Sequence, residues 1–530
     1  MWRTFTSLLF PALCTVLGPW HLGEQNTIVF AAETHEGWIP AAPVLEGLGN
    51  LHHATTTQSD KAQMYFDQGL RLVYAFNHAE ALRSFKEATR LDPSCAMAYW
   101  GQALALGPNI NVAMSRAQGT EAYAAIQRAL ALKSRATEKE GAYIEALATR
   151  YSHHNPVKRE ALDAAYAEAM ERLAKRYPDD PDAGTLYAAA VMETRPWAYW
   201  TKDGQPRPAT VKALSALETI LARHPDHPGA NHYYIHLVEA SPNPERALAS
   251  AERLATLMPG AGHITHMPAH IFFRVGRYAD ASDVTARAIE ADERYISQHH
   301  PKGIYPLYYL HNLRFLSASA SMEGRSAVAL AAARKVAAQV PGQFVGNEIQ
   351  LQDFLVTPLY VLTRFGRWDD ILREPQPGKE LMYARGIWHY ARGTAFTARG
   401  EVAQAAQELA QLEALVADPF LKDVQVARNG SADLLTLAAR VLAGELAAQR
   451  GDKATAIRLL KDAVRLQDEL HYFEPPAWYY PVRHSASAVR LPGSRLYRLD
   501  DSRVDNMVAQ LAYLLTIRGV VPLRRRPLLL

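Results

Sequence analysis

Residues 69–93, GLRLVYAFNHAEALRSFKEATRLDP, decide the fold. Gly69, Ala81, Phe85, Ala88 and Pro93 have the spacing of one helix, a short turn and a second helix. The small Ala81 and Ala88 let the two helices approach closely. Phe85 fills the groove between them, and Pro93 ends the second helix because it cannot donate a helix hydrogen bond.

The pattern recurs outward from this stretch. It returns at Ala247, Ala251, Leu254 and Pro259, and with a Gly-Arg turn at Gly276, Arg277, Tyr278, Ala281 and Ala288. Further copies run through Gly324, Ala329, Ala333 and Pro341, then Gly366, Arg367 and Trp368. Others follow at Gly393, Gly400, Ala405 and Leu409, and at Gly444, Gly451, Ala456, Leu460 and Ala463. Weaker copies cover 96–133, 141–181 and 184–227. On these residues the chain resembles the tetratricopeptide-repeat family over most of 62–475. The resemblance implies an all-α solenoid of about ten helical hairpins forming a superhelix. It also implies a protein or peptide partner in the concave groove, and no catalysis by the repeat itself.

The chain has 530 residues and a formal charge of +3 from 57 basic and 54 acidic side chains. So little excess cation argues against a nucleic-acid partner. Two cysteines exclude a disulfide framework or a Cys-rich zinc module. Arg3 followed by the apolar run Phe5–Leu17 reads as a signal peptide over 1–32, with a periplasmic or secreted destination. A linker is expected over 33–61, the solenoid over 62–475, and a degenerate repeat with a C-terminal tail over 476–530. No later segment is apolar enough to cross a bilayer.

Twenty histidines are the unusual feature of the composition, and ten of them lie from His224 to His311. Spacings of three and four put side chains on one helix face. That aligns His232, His236 and Glu239 on one stripe, and His263, His266 and His270 on another. Counted from the repeat anchors, His232 and His266 are both fifth in their units. His236 and His270 are ninth, His263 and His311 second, and Glu239 twelfth. The family resemblance implies that these positions line the concave groove, so three consecutive units would aim six histidines and one carboxylate at one patch.

Imidazole suits copper, zinc and iron, and three or four nitrogens with one carboxylate complete a site. His232, His236, Glu239, His263, His266, His270 and His311 are therefore expected to bind a transition-metal ion (Cu, Zn or Fe), with Glu239 either a ligand or an orienter of an imidazole. Residue 233 is Tyr where the zinc-protease motif needs Glu, so peptidase chemistry is not supported. Pro268 implies either a helix starting near His266, which is favoured and leaves His263 in a loop, or a kinked helix. A metalloenzyme, redox or hydrolytic, and a plain peptide-binding module without metal are the alternatives. Tyr233 and Tyr234 are expected in the inter-helix core. Trp197, Trp200 and Tyr305 are candidate walls. His78 is expected in turn chemistry, and His52-His53 and His153-His154 as exposed loop pairs. His299-His300 are loop candidates, and Arg274, Arg314 and Arg364 candidate groove cations.

Overall fold

The structure, a computed structural model, describes residues 42–153, 158–340 and 351–489. The expected signal peptide over 1–32, His154 and the tail after 489 lie outside the described residues. What is described is all-α apart from one short hairpin, Gln425–Val426 paired with Asn429–Gly430. No helix of the described residues is long and apolar enough to cross a membrane.

The helices pair into ten antiparallel hairpins, from Asp60–Tyr74 with His78–Leu91 to Ser431–Gln449 with Lys453–Glu469. Local chemistry sets their ends. Ser59 and Asn77 accept from the backbone N–H of Ala62 and Glu80, capping the two helices of the first hairpin. Phe85 is fully buried between neighbouring helices. A Cβ on Gly69 would lie 2.6 Å from its ring, and one on Gly101 2.3 Å. Glycine at both positions is what lets the ring sit there. Between the two helices of later hairpins, Gly276, Gly324, Gly366, Gly400 and Gly451 all take positive φ, between 65° and 82°. This is the left-handed turn that L side chains resist, and at Gly276-Arg277 and Gly366-Arg367 it falls on the Gly-Arg pairs read from sequence.

The superhelix curls back on itself. Tyr74 in the first hairpin packs against Gly229 in the fifth, where a Cβ would meet the ring at 2.5 Å. Tyr295 donates to Glu80 at 2.9 Å, closing the same gap. Residues 42–59, expected as linker, run along the solenoid as a strap. Gly260 N–H donates to the Gly47 carbonyl at 2.8 Å, and Glu140 accepts from the backbone and hydroxyl of Thr56.

His53, expected to be exposed, lies on this strap and is buried against the solenoid. Its Nδ1 is 2.7 Å from Asp182, which also accepts from Tyr74 Oη at 2.6 Å and from His227 Nε2 at 3.1 Å. One carboxylate thereby ties together the strap and the first, fourth and fifth hairpins. Spacing within one repeat cannot reveal this, because the partners lie 129, 108 and 45 residues apart.

Candidate metal centre

Three successive first helices carry the central histidines. Pro228–Val238 starts with Pro228 in its first turn and His227 as N-cap. The His227 Nδ1 accepts from Ala230 N–H at 3.0 Å, which leaves Nε2–H for Asp182. The i, i+4 spacing then turns His232 and His236 to one face, and Glu239 caps the C-terminus. The next first helix is broken at Met267 into Gly262–His266 and Pro268–Arg274. Pro268 occupies the first position of the second piece, so it forfeits no internal bond. His263 is thus helical, and the kinked alternative replaces the expected late start. The third helix, Tyr305–Met322, supplies His311.

All seven expected residues come together, but as two sets with a carboxylate between them. In the first set, His232 Nε2 lies 3.1 Å from His263 Nε2, and His236 Nε2 completes the group within 4.8 Å. In the second, His266 Nε2 is 2.9 Å from His270 Nε2 and 3.0 Å from His311 Nε2. His311 and His270 Nε2 are 3.4 Å apart. A triangle with these edges has its centre about 1.8 Å from each corner, so an ion slightly out of the plane meets all three at the usual 2.0–2.1 Å.

The outer nitrogens fix which face of each ring is the donor. His232 Nδ1–H donates to the Tyr74 carbonyl at 2.6 Å. His236 Nδ1–H donates to Glu239 Oε1 at 2.7 Å, and His270 Nδ1–H to Glu239 Oε2. A carbonyl or carboxylate oxygen can only accept, so in the neutral form Nε2 of each of these three rings carries a lone pair aimed inward. This is the arrangement in which a partner on the far nitrogen orients a metal-binding imidazole. Glu239, expected as a possible ligand, has both oxygens taken by Nδ1–H groups and acts as the orienter of two rings.

Six of the seven residues are buried and His311 is half-buried. Burial first, and the neighbouring imidazoles second, push His263 and His266 well below the usual histidine pKa. His232 and His311 are pushed well below it on the same grounds. His236 is also lowered by burial, against the pull of Glu239. His270 takes the opposite sign: burial lowers it, but the Glu239 carboxylate overrides and leaves it raised. Both rings bond the same carboxylate, but His236 also carries the repulsion of His270, while His270 gains a small further pull from Glu474. Burial raises Glu239, yet His270 and His236 more than offset this and hold it down to about 2. Five of the six rings are therefore held toward the neutral form and His270 toward the charged one.

Aromatic rings wall it. Phe76 lies 4.5 Å from His232, and stacks on His236 and His263 at 5.7 and 5.3 Å. Trp197 meets His236 edge-on at 5.2 Å, and Arg428 covers Trp197 at 5.4 Å. Tyr308 lies 4.6 Å from His263, and Phe315 stacks on His270 at 5.2 Å. Among the described residues five non-glycines take positive φ, and three of them are Phe76, Trp197 and Arg428. Strain of this kind costs of order 1–3 kcal/mol per residue and persists where surrounding structure imposes it. Of these walls only Trp197 was legible in sequence. Tyr305 instead donates to Asp292, Trp200 to the Leu237 carbonyl, and Tyr233 and Tyr234 are core as expected. His78 opens its helix beside Phe76, and His299 and His300 end theirs.

The groove over the histidines is filled by the chain's own C-terminal part. Tyr472 Oη lies 3.5 Å from Glu239 Oε2 and donates to Glu474. Arg274 donates to the Glu239 carbonyl at 2.7 Å and lies 5.3 Å over the Tyr472 ring. Arg314 pairs with Asp353 at 2.9 Å, lies 5.6 Å over Phe473 and reaches the Pro475 carbonyl. Asn429, on the short hairpin, holds His471 from the other side at 2.7 Å. Burial raises the Glu474 carboxyl to about 7. Beside this segment a cavity of about 310 Å³ remains, lined by Tyr278, Arg314, Tyr360, Arg364 and Tyr479.

No protein-family model matches the chain, and no curated protein matches it. Among solved structures it is similar to yeast Tom70, at 12% identity and TM-score 0.30, over 86% of this chain and 93% of that one. A human IFIT1 dimer with m7Gppp-AAAA matches at 12% identity and TM-score 0.35, over 77% and 91%. The P58(IPK) TPR domain matches at 11% identity and TM-score 0.19, over 81% and 97%. Overlays at these scores bear on neither ligand nor partner. The ten described hairpins, five of them turning on a left-handed glycine, are what define the architecture. It is a solenoid of the tetratricopeptide type. The solenoid's inner face holds the histidines, and its last described repeats cover them.

Proposed function

We propose that this protein is an exported helical-repeat scaffold that holds a transition metal inside its superhelix. The observation that carries the reading is the inward convergence of imidazole Nε2 atoms at 2.9–3.4 Å, with Nδ1 anchored on Glu239 and the Tyr74 carbonyl. Lone pairs facing one another at hydrogen-bond distance repel unless a proton or a cation lies between them. The depressed pKa values leave at most one N–H on each of five rings, and His232 and His236 spend theirs on outward partners. A metal ion satisfies all of these nitrogens at once.

Elemental analysis of protein from its native compartment tests this. Stoichiometric copper, zinc or iron that is lost in a His232→Ala/His270→Ala double variant supports it. No metal in either protein removes it. The export part rests on Arg3 and the run Phe5–Leu17, and intact-mass analysis of the mature chain tests it: retention of the first thirty residues counts against it.

Protein binding remains part of this reading, on the repeat architecture. A partner in the concave groove would have to displace residues 471–475 or use the cavity beside Arg364. That occupancy disfavours a plain peptide module at the histidines. The donor count favours a second reading, a metalloenzyme, because catalytic metal sites keep three protein ligands and an open position. Oxidase and hydrolase assays on metal-loaded protein separate scaffold from enzyme.

A further inference from the structure

The geometry points to a pair of metal ions, not one, each held by three imidazoles and linked through Glu239. This deepens the metal reading above and rests on it.

One ion cannot reach all six rings. Within each set the donor atoms lie within 4.8 Å of one another, and the two sets separate at that distance. His236 and His270 face each other across the divide with ring centroids 6.0 Å apart and planes at 85°. Both give Nδ1–H to the same carboxylate, one to each oxygen. In an imidazole the two nitrogens point to opposite sides, so a ring anchored at Nδ1 aims Nε2 away from its anchor. Glu239 thus directs His236 into the set with His232 and His263, and His270 into the set with His266 and His311. A carboxylate with both oxygens so used belongs to both centres and ligates neither.

Each element of the first set has an echo in the second. The fifth and ninth residues of consecutive units provide His232 and His236 to one and His266 and His270 to the other. The second residues, His263 and His311, come from the following unit in each case. Stepping one repeat along the solenoid generates the second centre from the first. His236 Nε2 and His263 Nδ1 are buried without a hydrogen-bond partner. The His236 atom is the one this scheme assigns to a metal.

Charge narrows the ion. Six neutral imidazoles bring no negative charge, and Glu239 is the carboxylate that bonds two of them, with Glu474 behind Tyr472. Two divalent ions would leave the buried site strongly positive, which is costly in a desolvated interior. Two copper(I) ions leave less uncompensated charge than two divalent ions, and imidazole is a suitable ligand for copper.

The test is titration of metal-free full-length protein with copper(I), and separately with zinc(II), against a competing chelator. Two copper(I) equivalents per chain are expected. His266→Ala/His311→Ala and His232→Ala/His263→Ala should each keep one equivalent, and the four-fold variant none. A single equivalent in the wild type overturns the pair while leaving a metal site. No binding of either ion overturns the metal reading itself. Two equivalents that survive in the four-fold variant overturn both, since the ions would then sit on other histidines. Two zinc but no copper equivalents support the pair and overturn the charge argument. Should a variant not fold, X-ray absorption of the loaded wild type decides: about three imidazole nitrogens per ion near 2.0–2.1 Å are expected, and four or more per ion contradict the pair.

Discussion

Two buried histidine clusters in this molecule use the same side chain for opposite ends. Around Asp182, two imidazoles and a tyrosine hydroxyl converge on one carboxylate, whose pKa stays far below the ordinary range because His227 and His53 override its burial. Each ring there points a nitrogen at an oxygen. In the central cluster two of the six rings bond Glu239, and inner nitrogens of His232 and His263, and of His266, His270 and His311, point at one another. The first is a charge-paired lock joining the strap to three hairpins. The second is the set proposed to hold metal. The ratio of imidazoles to carboxylates, and what the inner nitrogens face, separates structural from ligating histidine better than burial does.

The sharpest way to break this comparison is at the lock. Asp182→Ala leaves His53, His227 and the Tyr74 hydroxyl without their shared acceptor, and breaking a buried pair by removing one partner costs about 3–5 kcal/mol. Denaturant unfolding should register that loss, while metal content per folded chain should not change. A lowered metal content would mean that the two clusters are not independent.

Glu239→Gln is the matching change at the centre. The amide still fills the space, but it accepts from one ring and confronts the other with its NH₂. Removing such an orienting partner typically weakens metal binding about 10–100-fold. Competition with a chelator should show that drop with stoichiometry preserved. A loss of stoichiometry would make Glu239 a ligand instead.

Acid should also distinguish the clusters. His232, His236, His263, His266 and His311 have lowered pKa values in the folded state. The unfolded chain protonates these rings from about pH 6.5 downward, where the folded state does not. Metal-free stability contributed by these groups is therefore present above that pH and lost as pH falls. His53 and His270, both raised, work in the other sense, contributing stability below pH 6.5 that is lost as pH rises. With five groups against two, thermal scans of the metal-free protein should show the midpoint dropping between pH 7 and 5. A midpoint that rises over that window would contradict the assigned protonation states.

The smallest effect is expected at the covering segment. Tyr472→Phe removes one hydroxyl between Glu239 and Glu474, worth about 1 kcal/mol or less in stability. Its readout is kinetic: a chelator should strip metal faster from the variant. An unchanged rate would mean that residues 471–475 do not control access.

Much of this was legible in the sequence, for identifiable reasons. Gly69, Phe85 and the Gly-Arg turns act within one repeat, so their spacing exposes the hairpins. His232, His236, His263, His266, His270 and His311 act between adjacent repeats, and the register carries them to one patch. The rest depends on closure over long distances. Phe76 reaches the histidines because the first hairpin curls onto the fifth, and Tyr472 because the chain returns 233 residues later. His53 reads as a loop residue until Asp182 arrives from 129 positions away. The split into two triads was hidden for another reason: it depends on which ring nitrogen each partner takes, and the repeat pattern carries no record of that. The Pro268 break was visible, but its consequence for His263 depended on Met267 remaining helical.

An anomalous difference map from a crystal of the copper-loaded protein tests the central claim most directly. Two peaks are expected on the inner face, each about 2 Å from three Nε2 atoms, with the Glu239 oxygens still bonded to His236 and His270. Density for a bare network of imidazole–imidazole hydrogen bonds, with no peak among these six rings, would contradict the account.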